Sequence, residues 1–299
     1  MFPQGVSLER LASFLAVATA KGFARAAPGN PVRQSQLSRQ VSELQEALGG
    51  CKLLERRGRG VVVTAAGERL ATAVRALARD LDDLRGGAAD EPLRFTLGAG
   101  DSLLQWWVVP RLAEGLRAGA PDAVPQLRAL ASQDIVAQLE DGRLDFGLVR
   151  AREVPRQLVS RPLGDLEYAL YVPRARMPKP LPGDLGALLA CLPLALQHSE
   201  DELNEPLRKL AGEHQLHAAL DCETFPQALQ AVRSGRYAAL LPTIAETELR
   251  SRQVTEVTHP KLARLARRVH LAWHPRTARR PDHARLVDAL LAALDLRAE

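Results

Sequence analysis

The chain has 299 residues, 46% hydrophobic and 25% charged, a composition typical of globular proteins and long enough for about two domains of ~150 residues. No apolar run approaches the roughly 18 residues of a membrane span, and the N-terminus lacks a signal-peptide apolar core, so neither a membrane protein nor an exported one is expected. The three cysteines, Cys51, Cys191 and Cys222, are odd in number and lack CxxC spacing, which favours a reducing cytoplasm.

Positive charge is concentrated at the N-terminus. Residues 1–64 contain nine Lys and Arg against four Asp and Glu, which accounts for the whole net charge of +5. The rest of the chain has 31 basic and 31 acidic residues. A small basic module joined to a large neutral one predicts a head that binds a polyanion, and a chance local excess is the alternative.

Three helices and a hairpin are predicted in this basic segment. SLERLASFLAVATAKG is a helix with Ser7 as a candidate N-cap, and FARAAPGNP begins a second helix that its prolines and glycine end. In RQSQLSRQVSELQEALGG, residues 33–50, aliphatic residues recur at helical spacing and predict a third helix. KLLERRGRGVVVT is typical of strand, turn and strand, and the set predicts a winged helix-turn-helix.

The polar side of the third predicted helix carries amides, hydroxyls and guanidinium groups in its first two turns. A recognition helix inserts such N-terminal residues into the major groove, where amides pair with adenine and arginine pairs with guanine. Arginines of the hairpin would reach phosphates or the adjacent minor groove. A solvated polar face is the alternative. The predicted DNA contacts are Arg33, Gln34, Ser35, Gln36, Ser38, Arg39, Arg56, Arg57 and Arg59.

The run VRQSQLSRQVSELQEALGGCKLLERRGRGVVVTAAG resembles the DNA-binding segment of the LysR-type transcriptional regulators. Matches include residues 37–40, residues 55–56, and Thr64 with residues 66–67, and the resemblance is specific over residues 8–67. It implies an effector-responsive, cytoplasmic regulator that binds double-stranded DNA as a homodimer or homotetramer, with RNA polymerase as a further partner. The departures from the family pattern are Arg33, Ser35, Leu54 and the Pro-Gly-Asn segment 28–30.

A long amphipathic helix is predicted over residues 66–88. Its apolar residues recur at steps of four and three, which is a heptad seam, and charged residues lie off the stripe. We expect this helix to join two chains, because a dimer can cover two half-sites of DNA, and packing into a core is the alternative. The predicted dimerisation seam is Leu70, Val74, Leu77, Leu81 and Leu84.

Residues 91–299 alternate strands and helices in a βαβαβ pattern that implies parallel strand pairing. EYALYVP is expected to cross into a second lobe and RVHLAWHP to cross back, and two lobes with two crossings form a hinged cleft. The layout resembles the LysR effector-binding domain, itself similar to type 2 periplasmic binding proteins, and LEDGRLDFGLV matches a signature of that family.

The predicted fold class is therefore α/β overall. It comprises a mainly α winged helix-turn-helix at 1–65, a linker helix at 66–88 and a two-lobed α/β effector domain at 91–299. Lobe I is expected at about 91–167 and 269–299, and lobe II at about 168–268.

Strand ends and the N-termini of the following helices should line the cleft, because their free N–H groups favour anions. The resemblance favours Ser102, Gln133 and Thr224 as hydrogen-bonding residues, with N-capping as the alternative for Ser102 and Thr224. Arg150 could pair with a carboxylate, and a surface position is its alternative. The expected effector contacts are Ser102, Ser132, Gln133, Val149, Arg150, Gln197, His198, Thr224, Phe225 and Thr243. Apart from this effector, no cofactor is expected.

No catalytic site is predicted. Cys222, His198 and Asp221 could form a nucleophile set, but nothing in the sequence places them within reach of one another. An alternative function is nevertheless a small-molecule-binding protein or enzyme of periplasmic-binding-protein-like fold with a degenerate head. A third option is a nucleoid-type architectural DNA binder, which would have no use for a two-lobed cleft.

No metal site is predicted either. His214 and His217 have helical spacing but no further ligands nearby. His270 and His274 are expected on a strand, where their spacing gives no chelating geometry.

Overall fold

The computed structural model describes residues 4–57, 60–85, 92–197, 201–212, 216, 218–249 and 253–296. The chain divides into two compact units, Met1–Leu93 with Ala137–Asp145, and Arg94–Val136 with Phe146–Glu299. We call residues 4–85 of the first unit the head and the second unit the body. In the described part of the chain, no helix combines the length and apolar character that a membrane span requires.

The head has the helices and the hairpin that the sequence predicts. Its elements are α1 (Leu8–Ala20), α2 (Phe23–Ala26), α3 (Pro31–Ala47), β1 (Leu54–Arg57), β2 (Gly60–Val63) and α4 (Ala65–Arg85). The strands β1 and β2 pair antiparallel, with Leu54 opposite Val63 and Arg57 opposite Gly60. Three short helices followed by such a hairpin form a winged helix-turn-helix.

Helix α3 begins at Pro31 rather than at Arg33. The Asn30 side chain caps it by accepting a hydrogen bond from the Arg33 backbone N–H at 3.0 Å. Pro31 occupies the first turn, where its missing N–H costs no helical bond and its fixed φ suits the helix. The prediction that this proline belongs to a helix-ending segment is therefore wrong, because Asn30 and Pro31 start a helix.

One face each of α1, α3 and α4 forms the core of the head. Phe14 and Leu44 are fully buried there, and α4 contributes the buried residues Ala71 and Val74. Leu70 packs against the same cluster. Of the alternatives for the seam, core packing is thus what the structure shows for Leu70 and Val74 within one chain.

The remaining elements follow α4 with the predicted alternation of strands and helices. In chain order they are β3 (Leu93–Ala99), α5 (Asp101–Leu103), α6 (Val109–Gly119), β4 (Ala123–Ala129), α7 (Ser132–Glu140), β5 (Phe146–Arg150), β6 (Val159–Leu166), β7 (Tyr168–Pro173), α8 (Leu185–Cys191), β8 (Leu194–Gln197), α9 (Asp201–Ala211), β9 (Ala218–Cys222), α10 (Phe225–Arg233), β10 (Ala239–Pro242), α11 (Glu246–Leu249), β11 (Val254–Val257), α12 (Pro260–Ala263), β12 (Arg267–Trp273) and α13 (His283–Ala293).

Lobe I is built on a mixed sheet in the order β4-β3-β5-β12-β6. β3 and β5 run parallel, as the βαβ pattern predicts, with Leu97 opposite Phe146. β12, which returns from the second lobe, runs antiparallel to both β5 and β6. The Phe95 and Phe146 rings meet edge to face in the core, with their centroids 5.8 Å apart.

The chain crosses between the lobes twice. β6 lies in the lobe I sheet, and β7, which follows after Glu167, lies between β10 and β11 in a sheet of lobe II. The parallel pair β8 and β9 joins that lobe through a bridge between Leu194 and Ala238. The return path runs from β11 through α12 to β12, which begins at Arg267, whereas lobe I was expected to resume at residue 269.

Helix α13 closes lobe I by packing closely on α6. A Cβ atom at Gly115 would lie 2.4 Å from the Ala293 Cβ, and one at Gly119 would lie 2.8 Å from the Ala289 Cβ. These two glycines therefore allow α6 and α13 to pack closely, and a larger residue at either position would push the helices apart.

Candidate functional site

The predicted base-contacting face of α3 is open to solvent. Leu37, Val41 and Leu44 are buried and fix the rotation of the helix. All six predicted DNA contacts on α3 are exposed, namely Arg33, Gln34, Ser35, Gln36, Ser38 and Arg39. Arg33 and Gln34 lie one turn before Leu37, and the other four lie off the buried face. The structure therefore presents the N-terminal half of α3 as a continuous hydrogen-bonding surface.

A side-chain network ties α3 to α1. Gln40 donates from Nε2 to the Glu9 carboxylate at 2.6 Å and accepts at Oε1 from the Ser13 hydroxyl at 2.5 Å. Ser13 is itself buried. Gln40 thus holds the register of the two helices rather than facing outward with the exposed set.

Arg39 is oriented by a carboxylate that sequence reasoning missed. Glu43, one turn later, accepts from Arg39 Nε at 2.8 Å and from Arg10 Nη2 at 2.7 Å. The hydrogen bond from Arg39, with a smaller contribution from Arg10, lowers the pKa of Glu43, and the same carboxylate raises the pKa of Arg39. Arg39 is 81% exposed, so its guanidinium remains available while Glu43 fixes its direction. The i,i+4 spacing was the available sequence signal.

Val32 is a second residue that the sequence analysis missed. Its side chain lies in the first turn of α3 and is 80% exposed, beside the predicted contacts. An exposed aliphatic group on a recognition helix can contact the methyl group of thymine in the major groove.

The hairpin presents two of its three predicted arginines. Arg56 and Arg57 on β1 are exposed, and Arg59 lies outside the described residues. Val61 on β2 donates its backbone N–H to the Lys21 carbonyl at 3.3 Å, which attaches the hairpin to the end of α1. Arg25 also donates to the Lys21 carbonyl, so basic residues of α2 and of the hairpin share one side of the head.

Part of the predicted effector set comes together between α5 and α10, which contact each other. Ser102 lies within α5, whose N-cap is Gly100, so the N-capping alternative for Ser102 is wrong. Thr224 does cap α10, accepting from the Gln227 N–H at 3.4 Å. Phe225, next to it, is buried with its ring centroid 5.9 Å from that of Tyr168.

Thr243 lies beside one of the crossings. Its backbone N–H donates to the Glu167 carbonyl at 2.9 Å, at the residue that joins β6 to β7. The helical turn that begins at Thr243 also contacts the turn at residues 104–108, directly after α5. The structure thus places Thr243 close to the Ser102 helix.

Gln197 ends β8 and is buried, with 3% of its surface exposed. Its carbonyl accepts from Asn204 Nδ2 at 2.6 Å, whereas its own Nε2 is buried without a hydrogen-bond partner among the described residues. A buried amide donor of this kind can be satisfied by a ligand. Its predicted neighbour His198 lies outside the described residues.

The other cleft predictions lie at the expected chain positions. Ser132 is half-buried at the start of α7, and Gln133 next to it is exposed. Val149 is buried inside β5, so its side chain belongs to the lobe I core.

Arg150, at the end of β5, lines a different cavity, which we call the arginine pocket. The pocket has a volume of about 300 Å³. Sequence reasoning missed its other basic residues, because they come from distant segments. Its polar lining consists of Arg150, Arg152, Arg264, Arg267 and Arg268. Pro206, from α9, also lines it.

The residues considered for catalysis gain no support from their environments. Cys222 is buried, and desolvation, with a smaller effect of Asp221, raises its pKa, which disfavours the nucleophilic thiolate. His198 lies outside the described residues, as do His214 and His217, which were considered as metal ligands. His270 Nδ1 lies 3.0 Å from the Ser160 hydroxyl.

A winged helix-turn-helix with an exposed polar recognition helix, followed by a two-lobed α/β body, defines a DNA-binding transcriptional regulator. Residues 8–68 match the model of the bacterial regulatory helix-turn-helix proteins of the lysR family, and residues 89–295 match that of the LysR substrate binding domain. The chain belongs to the LysR family of transcriptional regulators. It is a regulator rather than an enzyme, and the predicted fold class is confirmed.

The matches to relatives cover between about half and nearly all of the chain. A probable hydrogen peroxide-inducible genes activator from Mycobacterium avium is 27% identical over 288 residues, 92% of this chain and 90% of that protein. The uncharacterised HTH-type regulator YnfL of Escherichia coli is 31% identical, but the match covers only 51% of this chain and 52% of that protein. The solved structure of full-length LysG from Corynebacterium glutamicum, with bound effector Arg, has a TM-score of 0.66 and 18% identity, covering 97% and 98% of the two chains.

Proposed function

We propose that the head binds double-stranded DNA in a sequence-specific manner through α3 and that the body adjusts this binding in response to a small molecule. One observation carries the DNA-binding proposal. Six polar side chains between Arg33 and Arg39 are all exposed, while Leu37, Val41 and Leu44 bury α3 against the rest of the head. Base contacts would come from α3, and Arg56 and Arg57 would neutralise phosphates.

The C-terminal half of α4 supports a homodimer as the binding form. Leu77 is half-buried and Leu81 is 38% exposed, beyond the part of the helix that packs into the head. The side chain of Leu84 lies outside the described residues. Two such helices would bury this apolar strip and present two heads to two half-sites. A homotetramer, contact with RNA polymerase and a cytoplasmic location complete the proposal, as expected for a regulator that acts on DNA.

The effector site is proposed between α5 and α10, with the buried amide of Gln197 as a further hydrogen-bond donor. The similar protein LysG was solved with a bound effector, which supports a ligand-responsive body here. The ligand would favour one arrangement of the lobes, and it can do so only through a difference in affinity between the two arrangements.

Oxidation of the Cys222 thiol by peroxide is the alternative trigger that we consider. The similar protein from Mycobacterium avium is described as a probable activator of hydrogen peroxide-inducible genes. Cys222 is buried, and desolvation raises the pKa of its thiol, which disfavours the thiolate that peroxide would oxidise. We therefore propose ligand binding rather than oxidation of Cys222 as the regulatory event.

Mobility-shift titrations with DNA upstream of the chain's own gene test the proposal. At about 50 and 200 mM salt, the affinity for any fragment should fall steeply as salt rises, because phosphate contacts release counterions. The upstream fragment should be bound at least ~10³ times more tightly than an unrelated fragment of the same length. Equal affinity for the two fragments would indicate an architectural binder, and absence of binding would indicate a degenerate head.

A further inference from the structure

The arginine pocket brings together positive charges that are far apart in the sequence. Arg150 ends β5 and Arg152 follows it, and Arg264 to Arg268 occupy the return path from α12 into β12. Pro206, from α9 of lobe II, completes the wall. The pocket therefore lies where lobe I, lobe II and one of the crossings meet.

The charged side chains that line this pocket, among the described residues, are all positive. Arg150 pairs with Glu153 at 3.5 Å and Arg268 pairs with Asp165 at 3.0 Å, and Arg152 and Arg267 also have interaction partners. Neither carboxylate is among the lining residues, and the described lining contains five arginines and no acid. No ion pair of Arg264 is present among the described residues. Positive charges gathered around a cavity favour the entry of an anion.

The chemistry of the lining indicates which anion would fit. The planar guanidinium fork matches the two oxygens of a carboxylate or phosphate group, and several forks can hold more than one such group. A volume of about 300 Å³ is at the small end of the range for metabolite sites. A small molecule with two or more negative charges satisfies both conditions.

We propose that the arginine pocket is a second ligand site, which binds a small polyanionic metabolite, either a phosphorylated compound or a dicarboxylate. Of the residues expected to contact the effector, only Arg150 lines this pocket, so the site is separate from the one between α5 and α10. Because its wall includes both lobes and the return path, a bound anion would stabilise one angle between them. This regulatory consequence rests on the proposed function, whereas anion binding does not.

Isothermal titration of the full chain at constant ionic strength tests the site, with inorganic pyrophosphate and succinate as separate probes and acetate as the monoanion control. We expect saturable binding of at least one of these two polyanionic probes. Tighter binding of pyrophosphate identifies a phosphate site, and tighter binding of succinate identifies a dicarboxylate site. Arg264→Ala should weaken that binding about tenfold, because one charge-assisted contact is lost. Arg264 is the suitable target because its removal leaves no described carboxylate unpaired.

Arg117→Ala is the matched control, since Arg117 is an exposed arginine of α6 outside the pocket. It should bind the probes as the unmodified chain does, and both variants should keep the thermal unfolding midpoint. The proposal is overturned if neither probe binds more tightly than acetate, or if Arg264→Ala binds as tightly as the unmodified chain. It is also overturned if Arg264→Ala weakens binding to DNA but not to the probes, because the pocket would then be a nucleic-acid surface. Failure of the mobility-shift test leaves these results unaffected.

Discussion

Replacement of Gly67 by alanine should destabilise the head by about 3 kcal/mol, because the new methyl group has no space. A Cβ atom at this position would lie 2.2 Å from the Leu53 carbonyl oxygen and 2.7 Å from Val63 Cγ1. The carbonyl belongs to the backbone before β1 and cannot rotate away as a side chain can. Calorimetry of the full chain should show the transition of the head lowered by on the order of 10 °C or more, with weaker DNA binding.

Gly60→Ala is the control for this substitution. A Cβ at Gly60 would lie 3.4 Å from Arg25 Nη2, the end of a flexible side chain. The carbonyl oxygens of Lys21 and Arg57, at 3.6 and 3.8 Å, are at ordinary van der Waals distances. The transition of this variant should stay within a few degrees of the unmodified chain. An unchanged transition for Gly67→Ala would show that α4 does not approach Leu53 as closely as the structure has it.

We call the segment of upstream DNA that the protein protects the operator. Arg39→Ala should weaken binding to the operator tenfold or more, as expected for loss of a base contact of ~1–3 kcal/mol. The guanidinium is 81% exposed, so its removal should change folding little, and Glu43 keeps its ion pair with Arg10. Fluorescence anisotropy with operator and unrelated DNA measures the effect. The loss should be larger on the operator, because a base contact depends on sequence and a phosphate contact does not.

Two comparisons separate a base contact from a general loss of charge. Arg117→Ala removes an exposed arginine from the body and should leave operator affinity unchanged. Arg57→Ala should reduce affinity for both DNAs by similar factors if it contacts phosphate. Operator affinity unchanged in Arg39→Ala would exclude this residue from base recognition.

Much of the head could be predicted because its signals are local. The spacing of Leu37, Val41 and Leu44 fixes the buried face of α3. The exposure of Ser35, Gln36, Ser38 and Arg39, which lie off that face, follows from it. The glycine-containing segment between β1 and β2 is likewise a short-range signal, because it predicts a hairpin from adjacent residues. The sequence pattern starts α3 at Arg33, whereas the helix starts at Pro31. A proline disrupts the interior of a helix but favours its first turn, so the same residue can indicate either a helix end or a helix start.

The contacts that required the fold could not be predicted. The seam of α4 has the same spacing whether it meets a partner or the head, and only the structure shows that Val74 is buried in the head. The sequence placed Arg150 at a strand end, but its neighbours Arg264 and Arg268 are more than a hundred positions away along the chain. Their approach depends on the return crossing, for which no local pattern specifies side-chain neighbours.

Recognition of the major groove by α3 is tested most directly by altering the DNA. In the operator segment protected by the protein, each guanine is replaced in turn by 7-deazaguanine, which lacks the major-groove N7 acceptor, or by inosine, which lacks the minor-groove amino group. Our account predicts that 7-deazaguanine at one or more positions in each half-site lowers affinity tenfold or more. Inosine at those positions should leave affinity nearly unchanged. Sensitivity to inosine with indifference to 7-deazaguanine throughout the segment would contradict it.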